Sequence, residues 1–179
     1  MQHQSDPPEV VAPSSASAVE TPFGADHDHQ RCRDHVLSEA ERRCAERQVR
    51  LTPQRRRVLE VIADRHGAIG AYEIIARLGE GRSRPAPISV YRALDFLMAQ
   101  GLVHRLASLN AFIACSGPDR AHGAQFLICR GCGVIGELND ASVEAAIGRA
   151  AAAAGFAVAA PLVEVTGLCR SCRTSDAPA

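Results

Sequence analysis

Four of the seven cysteines in this 179-residue chain stand as two C-x-x-C pairs, Cys129-Arg130-Gly131-Cys132 and Cys169-Arg170-Ser171-Cys172. Two such knuckles offer four thiolates on two tight turns. That is enough to close a tetrahedron around Zn²⁺ with every position filled by protein, which is the chemistry of a structural site. A metal held there staples residues 129–172 into one unit. A second group of soft and borderline donors lies around the first knuckle: His104, Cys115 and His122 before it, and Glu137 five residues past Cys132. A mixed set of this kind suits a metal sensor. The alternative is that His104 and His122 are surface histidines and Cys115 a packed core thiol. A third cluster, His27, His29, Cys32 and His35, lies near the N-terminus and has no evident role.

The elements that must position these groups are bounded first by composition. Hydrophobic residues make up 46% of the chain, enough for a packed core, so a folded protein of one large or two small domains is expected. No apolar run approaches the length of a spanning helix, and residues 1–30 have neither a basic cap nor an apolar core of a signal peptide. The expected location is the cytoplasm, with no membrane partner. In that reducing compartment an odd number of cysteines, most of them in C-x-x-C pairs, reads as metal ligands before disulfides.

Net charge is zero, but it is unevenly spread. Residues 1–40 carry two Arg against seven acids, residues 41–106 carry thirteen Arg against seven, and residues 107–179 carry five against six. A basic middle flanked by acidic or neutral pieces is the footprint of a nucleic-acid-binding domain, although a solvated Arg-rich helix face would look similar.

Residues 1 to about 30, rich in Pro, Ser, Ala and acids, cannot repay their ordering entropy and read as a disordered tail. A charged helix is expected from Ser38 to Gln48. The next helix opens with Thr52 as N-cap and Pro53 at its first position and runs to about Arg65. Its first turn holds Arg55, Arg56 and Arg57, the wrong sign for a helix N-terminus, which implies that they answer to an outside anion such as phosphate. Ala71 to Leu78 makes a third helix. A fourth is expected from a Ser89 cap to near Gly101, with Val90, Leu94, Leu97 and Met98 on one face and Tyr91, Arg92 and Asp95 turned away from it. Two strand-like runs, Leu102 to Ala107 and Ala111 to Cys115, join through Ser108-Leu109-Asn110. Helices followed by a hairpin make a winged helix, in which Arg92 occupies the opening turns of the recognition helix.

Beyond it, strands Gln125–Ile128 and Val134–Leu138 flank the first knuckle. An Ala-rich helix capped by Asn139 or Asp140 ends at Gly155, and strands Phe156–Val158 and Leu162–Leu168 lead into the second knuckle. The fold class is therefore α+β, a winged-helix domain followed by a small α/β domain with a four-cysteine zinc site. The expected divisions are a tail over 1–36, the winged helix over 37–116, a hinge over 117–123, the second domain over 124–173 and a free tail over 174–179. The strands of the second domain carry more apolar surface than one helix can hide, which favours self-association.

From about Glu41 to Cys172 the chain resembles the ferric uptake regulator family, most closely its zinc uptake regulator branch. The resemblance rests on Val49-Arg50-Leu51-Thr52-Pro53-Gln54-Arg55, on Val90-Tyr91-Arg92-Ala93-Leu94-Asp95-Phe96-Leu97, on Gly101-Leu102-Val103-His104 and on the spacing of the two knuckles. It implies a homodimeric winged-helix repressor of zinc-uptake genes that binds double-stranded operator DNA. The same likeness implies two Zn²⁺ per chain: a structural ion on Cys129, Cys132, Cys169 and Cys172, and a regulatory ion on His104, Cys115, His122 and Glu137. Tyr72 and Arg92 would approach bases while Arg55 and Tyr91 contact the DNA backbone. Iron and peroxide sensors of the family carry an H-H-x-H stretch where this chain has Asp119-Arg120-Ala121-His122, and Cys115 adds a thiolate. One sulfur, two imidazoles and one carboxylate suit four-coordinate Zn²⁺ better than octahedral Fe²⁺ or Mn²⁺. The long N-terminal tail departs from the family pattern.

Other readings are an iron, manganese or peroxide sensor of the same family and, more remotely, a C-x-x-C thiol oxidoreductase. No βαβ unit surrounds either cysteine pair, as a thioredoxin-like redox site requires. H-E-x-x-H and H-x-E are also missing, so no enzymatic activity and no small-molecule substrate are expected.

Overall fold

The computed structural model of the chain describes residues 19–20, 29–65, 67–81, 83–115, 124–138, 140–159 and 161–175. Helix α1 (His29–Glu46) is the first long element. It begins nine residues before the expected Ser38, so residues 29–36 are helical and not part of a disordered tail. Its buried stripe is Leu37, Ala40 and Cys44, and upstream Arg33 reaches Asp64 at 3.5 Å. That tertiary partner lies thirty-one residues away, which is why local pattern alone starts the helix too late.

Helix α2 (Pro53–Ala63) sits at the centre of the first core. Thr52 caps it by accepting from the Arg55 N–H at 3.4 Å, and Val58, Leu59, Ile62 and Ala63 are buried. Helix α3 (Ala71–Leu78) buries Ile74, Ile75 and Leu78. Helix α4 (Pro87–Ala99) begins two residues earlier than the expected Ser89 cap. Pro87 supplies the ready-made first-turn φ, and the cap residue Ala86 contributes no side-chain bond. Val90, Ala93, Leu94 and Leu97 are its buried face, and Gly101, at φ +67°, ends it.

The wing follows. Strand β3 (Val103–Leu106) pairs antiparallel with β4 (Ala111–Ala114), and β4 also takes β2 (Ile69–Gly70), a strand too short to leave a periodic signal. Asn110, at φ 47°, closes the wing turn, a conformation Asn tolerates well.

The second sheet has the order β1 (Val19–Glu20), β6 (Ile135–Leu138), β5 (Ala124–Cys129), β7 (Leu162–Gly167), with β5 parallel to β7 and antiparallel to β6. Pairing of Val19 and Glu20 with Leu138 and Glu137 was not legible in a tail read as structureless. The wing packs on this sheet. Leu106, fully buried, shares a core with Phe126, Ile128 and Ile135, and Ile113 lies against it.

Helix α5 (Ala141–Ala153) is capped by Asp140, whose carboxylate accepts from Ser142 N–H at 2.8 Å. None of its residues is fully buried: of the expected stripe, Val143 and Ile147 are half-buried while Ala146 and Ala150 are exposed. The expected strand Phe156–Val158 does not form. Gly155 at φ +71° turns the chain, and the Phe156 N–H goes to Ala151 O at 2.8 Å, closing the helix end instead of a ladder. The last described element is α6 (Arg170–Ser175), so the first two residues of the free tail expected over 174–179 are helical.

Candidate metal centres and nucleic-acid face

Strands β5 and β7 run side by side and deliver both knuckles to the same end of the sheet. The Arg130 N–H donates to Gly167 O at 2.8 Å, locking the two exits together. Cys129 ends β5, Cys169 follows β7, and Cys172 lies on α6. The four sulfurs lie within 4.8 Å of one another, with Cys132 Sγ 3.8 Å from Cys169 Sγ. A tetrahedral ion with Zn–S bonds of about 2.3 Å requires sulfurs about 3.8 Å apart, so the donor set fits zinc in type, number and spacing. Gly131 makes that approach possible: a Cβ there would meet Cys172 Sγ at 2.8 Å. Gly133, at φ +74°, completes the turn, where other residues would be strained.

The protons of this cluster pull against one another. The Cys169 backbone N–H, 3.3 Å from Cys129 Sγ, leads in lowering the Cys129 thiol to about 6. Cys172, hydrogen-bonded first to Cys169 and then to Cys129 and Cys132, is pushed up to about 12. Four thiolates this close repel one another, and a bound dication is what allows all four to lose their protons.

The second cluster joins three elements. His104 comes from β3, Cys115 follows β4, and Glu137 comes from β6; their ligand atoms lie within 4.8 Å of one another. Cys115 is 3% exposed and Glu137 8%, and Cys115 Sγ stands 4.0 Å from Glu137 Oε1. The His104 ring packs edge-on to Phe126, with centroids 5.3 Å apart. A thiol, a carboxyl and an imidazole brought together in this way make a donor set suited to a borderline ion. A site here ties the wing to the second sheet. His122, the expected fourth ligand, lies outside the described residues, as does His27 of the N-terminal cluster; Cys32 and His35 are exposed on α1.

In the winged helix, Tyr72 is 84% exposed on α3, and Tyr91 and Arg92 are exposed on α4. Large aromatic side chains left in water in the basic part of the chain call for a partner. Ile88, 60% exposed one turn before Arg92, joins this exposed set and was missed in the sequence because its exposure cannot be read from the apolar pattern. Arg55 is half-buried: its guanidinium lies 3.5 Å over the Phe96 ring and donates to Arg50 O. Arg56 pairs with Glu41 at 3.0 Å and with Glu60, and Arg57 donates to Leu78 O at 3.4 Å. The first-turn arginines thus have partners inside the chain as well as the external anion expected for them.

Residues 46–166 match the model of the Ferric uptake regulator family. The chain belongs to that family. Among its relatives, the zinc uptake regulation protein of Escherichia coli (strain K12) is 41% identical over 138 residues, covering 76% of this chain and 81% of that one. A solved zinc uptake regulator complexed with zinc and DNA superposes with a TM-score of 0.76 at 39% identity, covering 82% of this chain and 98% of the other. The crystal structure of holo XcZur gives 0.73 at 44% identity, covering 79% and 99%. The family match spans His104, Cys115 and Glu137, whereas Cys169 and Cys172 lie just beyond it.

Proposed function

We propose that the chain is a zinc-responsive repressor that binds operator DNA as a homodimer and represses zinc-uptake genes. The observation that carries this reading is the second cluster: a His, Cys and Glu donor set joining the wing to the second sheet, in a chain whose fold resembles a zinc uptake regulator bound to zinc and DNA. In this reading residues 37–116 bind DNA and 124–173 hold metal and dimerise; the expected hinge, 117–123, lies outside the described residues. Cys129, Cys132, Cys169 and Cys172 hold a structural Zn²⁺. His104, Cys115 and Glu137, with His122, hold a regulatory one.

Self-association is supported by the apolar surface left in water along β7 and beside it: Phe156, Leu162, Val165 and Leu168. A two-fold dimer through that face presents two copies of α4 to successive major-groove half-sites. Regulation follows from linkage. If one relative orientation of wing and second sheet both assembles the cluster and presents the recognition helices, zinc and operator strengthen each other by the same factor, roughly 5- to 150-fold for a coupling of about 1–3 kcal/mol. The protein acts in the cytoplasm and catalyses nothing. A thiol oxidoreductase is disfavoured because the four sulfurs converge in one cluster, where two separate redox pairs would be needed.

Arg92→Ala tests the DNA-reading part. If Arg92 makes a bidentate contact to guanine, the variant should lose roughly 5- to 150-fold of its preference for operator over random duplex. Arg56→Ala, whose guanidinium is engaged by Glu41 and Glu60, should leave that preference unchanged. Competition binding against random DNA measures both, and an Arg92→Ala loss that is equal on the two DNAs argues against base readout.

A further inference from the structure

The wing touches the second sheet at a second place, which involves none of the metal-ligand residues. Glu164, on β7, reaches the wing turn: its carboxylate accepts from the Ala107 N–H at 2.7 Å, from the Ser108 N–H at 3.1 Å and from the Ser108 hydroxyl. Two successive backbone N–H groups and a hydroxyl converging on one carboxylate form an anion-binding concavity. Burial alone would raise the pKa of this carboxyl, but the Ser108 hydroxyl and the two N–H groups outweigh it and hold the group below its ordinary value. The carboxylate is thus favoured in the folded chain; its contribution is complete above the ordinary carboxylate range and is lost only as pH falls through the lowered value. At neutral pH the tie is intact.

The spacing of the two ties matters. His104 lies three residues before Ala107, about 10 Å along an extended strand, and Leu106 is buried between them. One tie leaves the wing free to pivot about it. Two ties on one strand, with an apolar contact between, fix its angle.

We propose that Glu164 is a positioning residue that holds the wing turn against β7, so that part of the orientation needed for metal capture is set before metal binds. The inference rests on the zinc-responsive reading above. Removing the grip lowers the population of the metal-competent orientation, and the apparent metal affinity falls by the same fraction. Saturating zinc then recovers the orientation, because the ion still prefers it.

The test uses the full-length protein and a duplex selected from a random-sequence pool by the zinc-loaded wild type. DNA binding is followed by anisotropy while free Zn²⁺ is buffered across its range, for wild type, Glu164→Ala, Glu164→Gln and Ser108→Ala. The zinc concentration at half-response should rise about 5- to 30-fold in Glu164→Ala, the range expected for a partly exposed charge-assisted contact. Glu164→Gln, which keeps the shape but not the charge, should show a smaller rise, and Ser108→Ala, which keeps both N–H donors, the smallest. Affinity at saturating zinc should return to nearly that of the wild type. A merely structural role would instead release the tightly held zinc or split the dimer, both read on the same samples by metal analysis and sedimentation. If Glu164→Ala and Glu164→Gln respond at the wild-type zinc concentration, or if their loss persists undiminished at saturating zinc, the positioning role is overturned. A wild type that does not respond to zinc at all would overturn the functional reading beneath it, which is a different result.

Discussion

Replacing Cys132 by Ser is expected to cost the protein its tightly held zinc and its dimeric state together. Cys132 is the exposed member of the four-sulfur cluster, so its own packing contributes little and the substitution tests coordination more than core volume. A serine hydroxyl stays protonated and is a poor zinc ligand, which leaves three sulfurs and an open position where a closed site stood. The cluster joins the ends of β5 and β7 to α6, and a structural zinc supplies folding free energy, about 10–16 kcal/mol in small zinc-finger peptides at neutral pH. Losing most of it loosens the β7 edge that carries Leu162, Val165 and Leu168, the surface assigned to self-association. Wild-type protein should keep one zinc per chain after mild chelation and sediment as a dimer; Cys132→Ser should keep none and sediment as a monomer. Retention of both would remove the structural assignment.

Cys115→Ser is the second large effect, and it should be selective. Cys115 is buried, and Ser has nearly its volume, so the packing around it is little disturbed. What changes is chemistry: a soft thiolate beside Glu137 becomes a hydroxyl that stays protonated. The four-cysteine cluster is built from other residues and should stay full. Operator affinity, however, should no longer rise at the zinc concentrations that activate the wild type, because an ion that does not bind cannot bias the orientation of the wing. A Cys115→Ser protein that answers zinc normally would make Cys115 a packing residue.

The parts of this molecule that were legible in the sequence are those with local causes. Thr52-Pro53 marks the start of α2, the alternation around Ser108-Leu109-Asn110 marks the wing, and the C-x-x-C spacing marks the four-sulfur cluster, because capping, pleating and chelation are set within a few residues. What was misread depends on distant partners. The first turns of α1 gain Arg33–Asp64, a partner that no window of neighbouring residues contains. Strands β1 and β2 are two residues each, below any periodic signal. Phe156–Val158 has the composition of a strand, but the Phe156 N–H is taken by the end of α5. The second cluster stands between these cases. Its residue types were visible, yet only the fold brings His104, Cys115 and Glu137 from three strands' ends to within 4.8 Å. Glu164 carried no signal at all, since its partners are backbone groups more than fifty residues away.

The claim that metal identity controls DNA binding is tested most directly by titrating operator binding of the full-length protein with Zn²⁺, Fe²⁺ and Mn²⁺ in parallel, each with its free concentration buffered. A site combining thiolate and imidazole with carboxylate should make zinc the effective ion, with operator affinity rising roughly 5- to 150-fold while random-duplex binding changes little. Iron and manganese should produce that rise only at far higher free concentrations. A rise driven by iron or manganese at concentrations where zinc is silent would contradict the account.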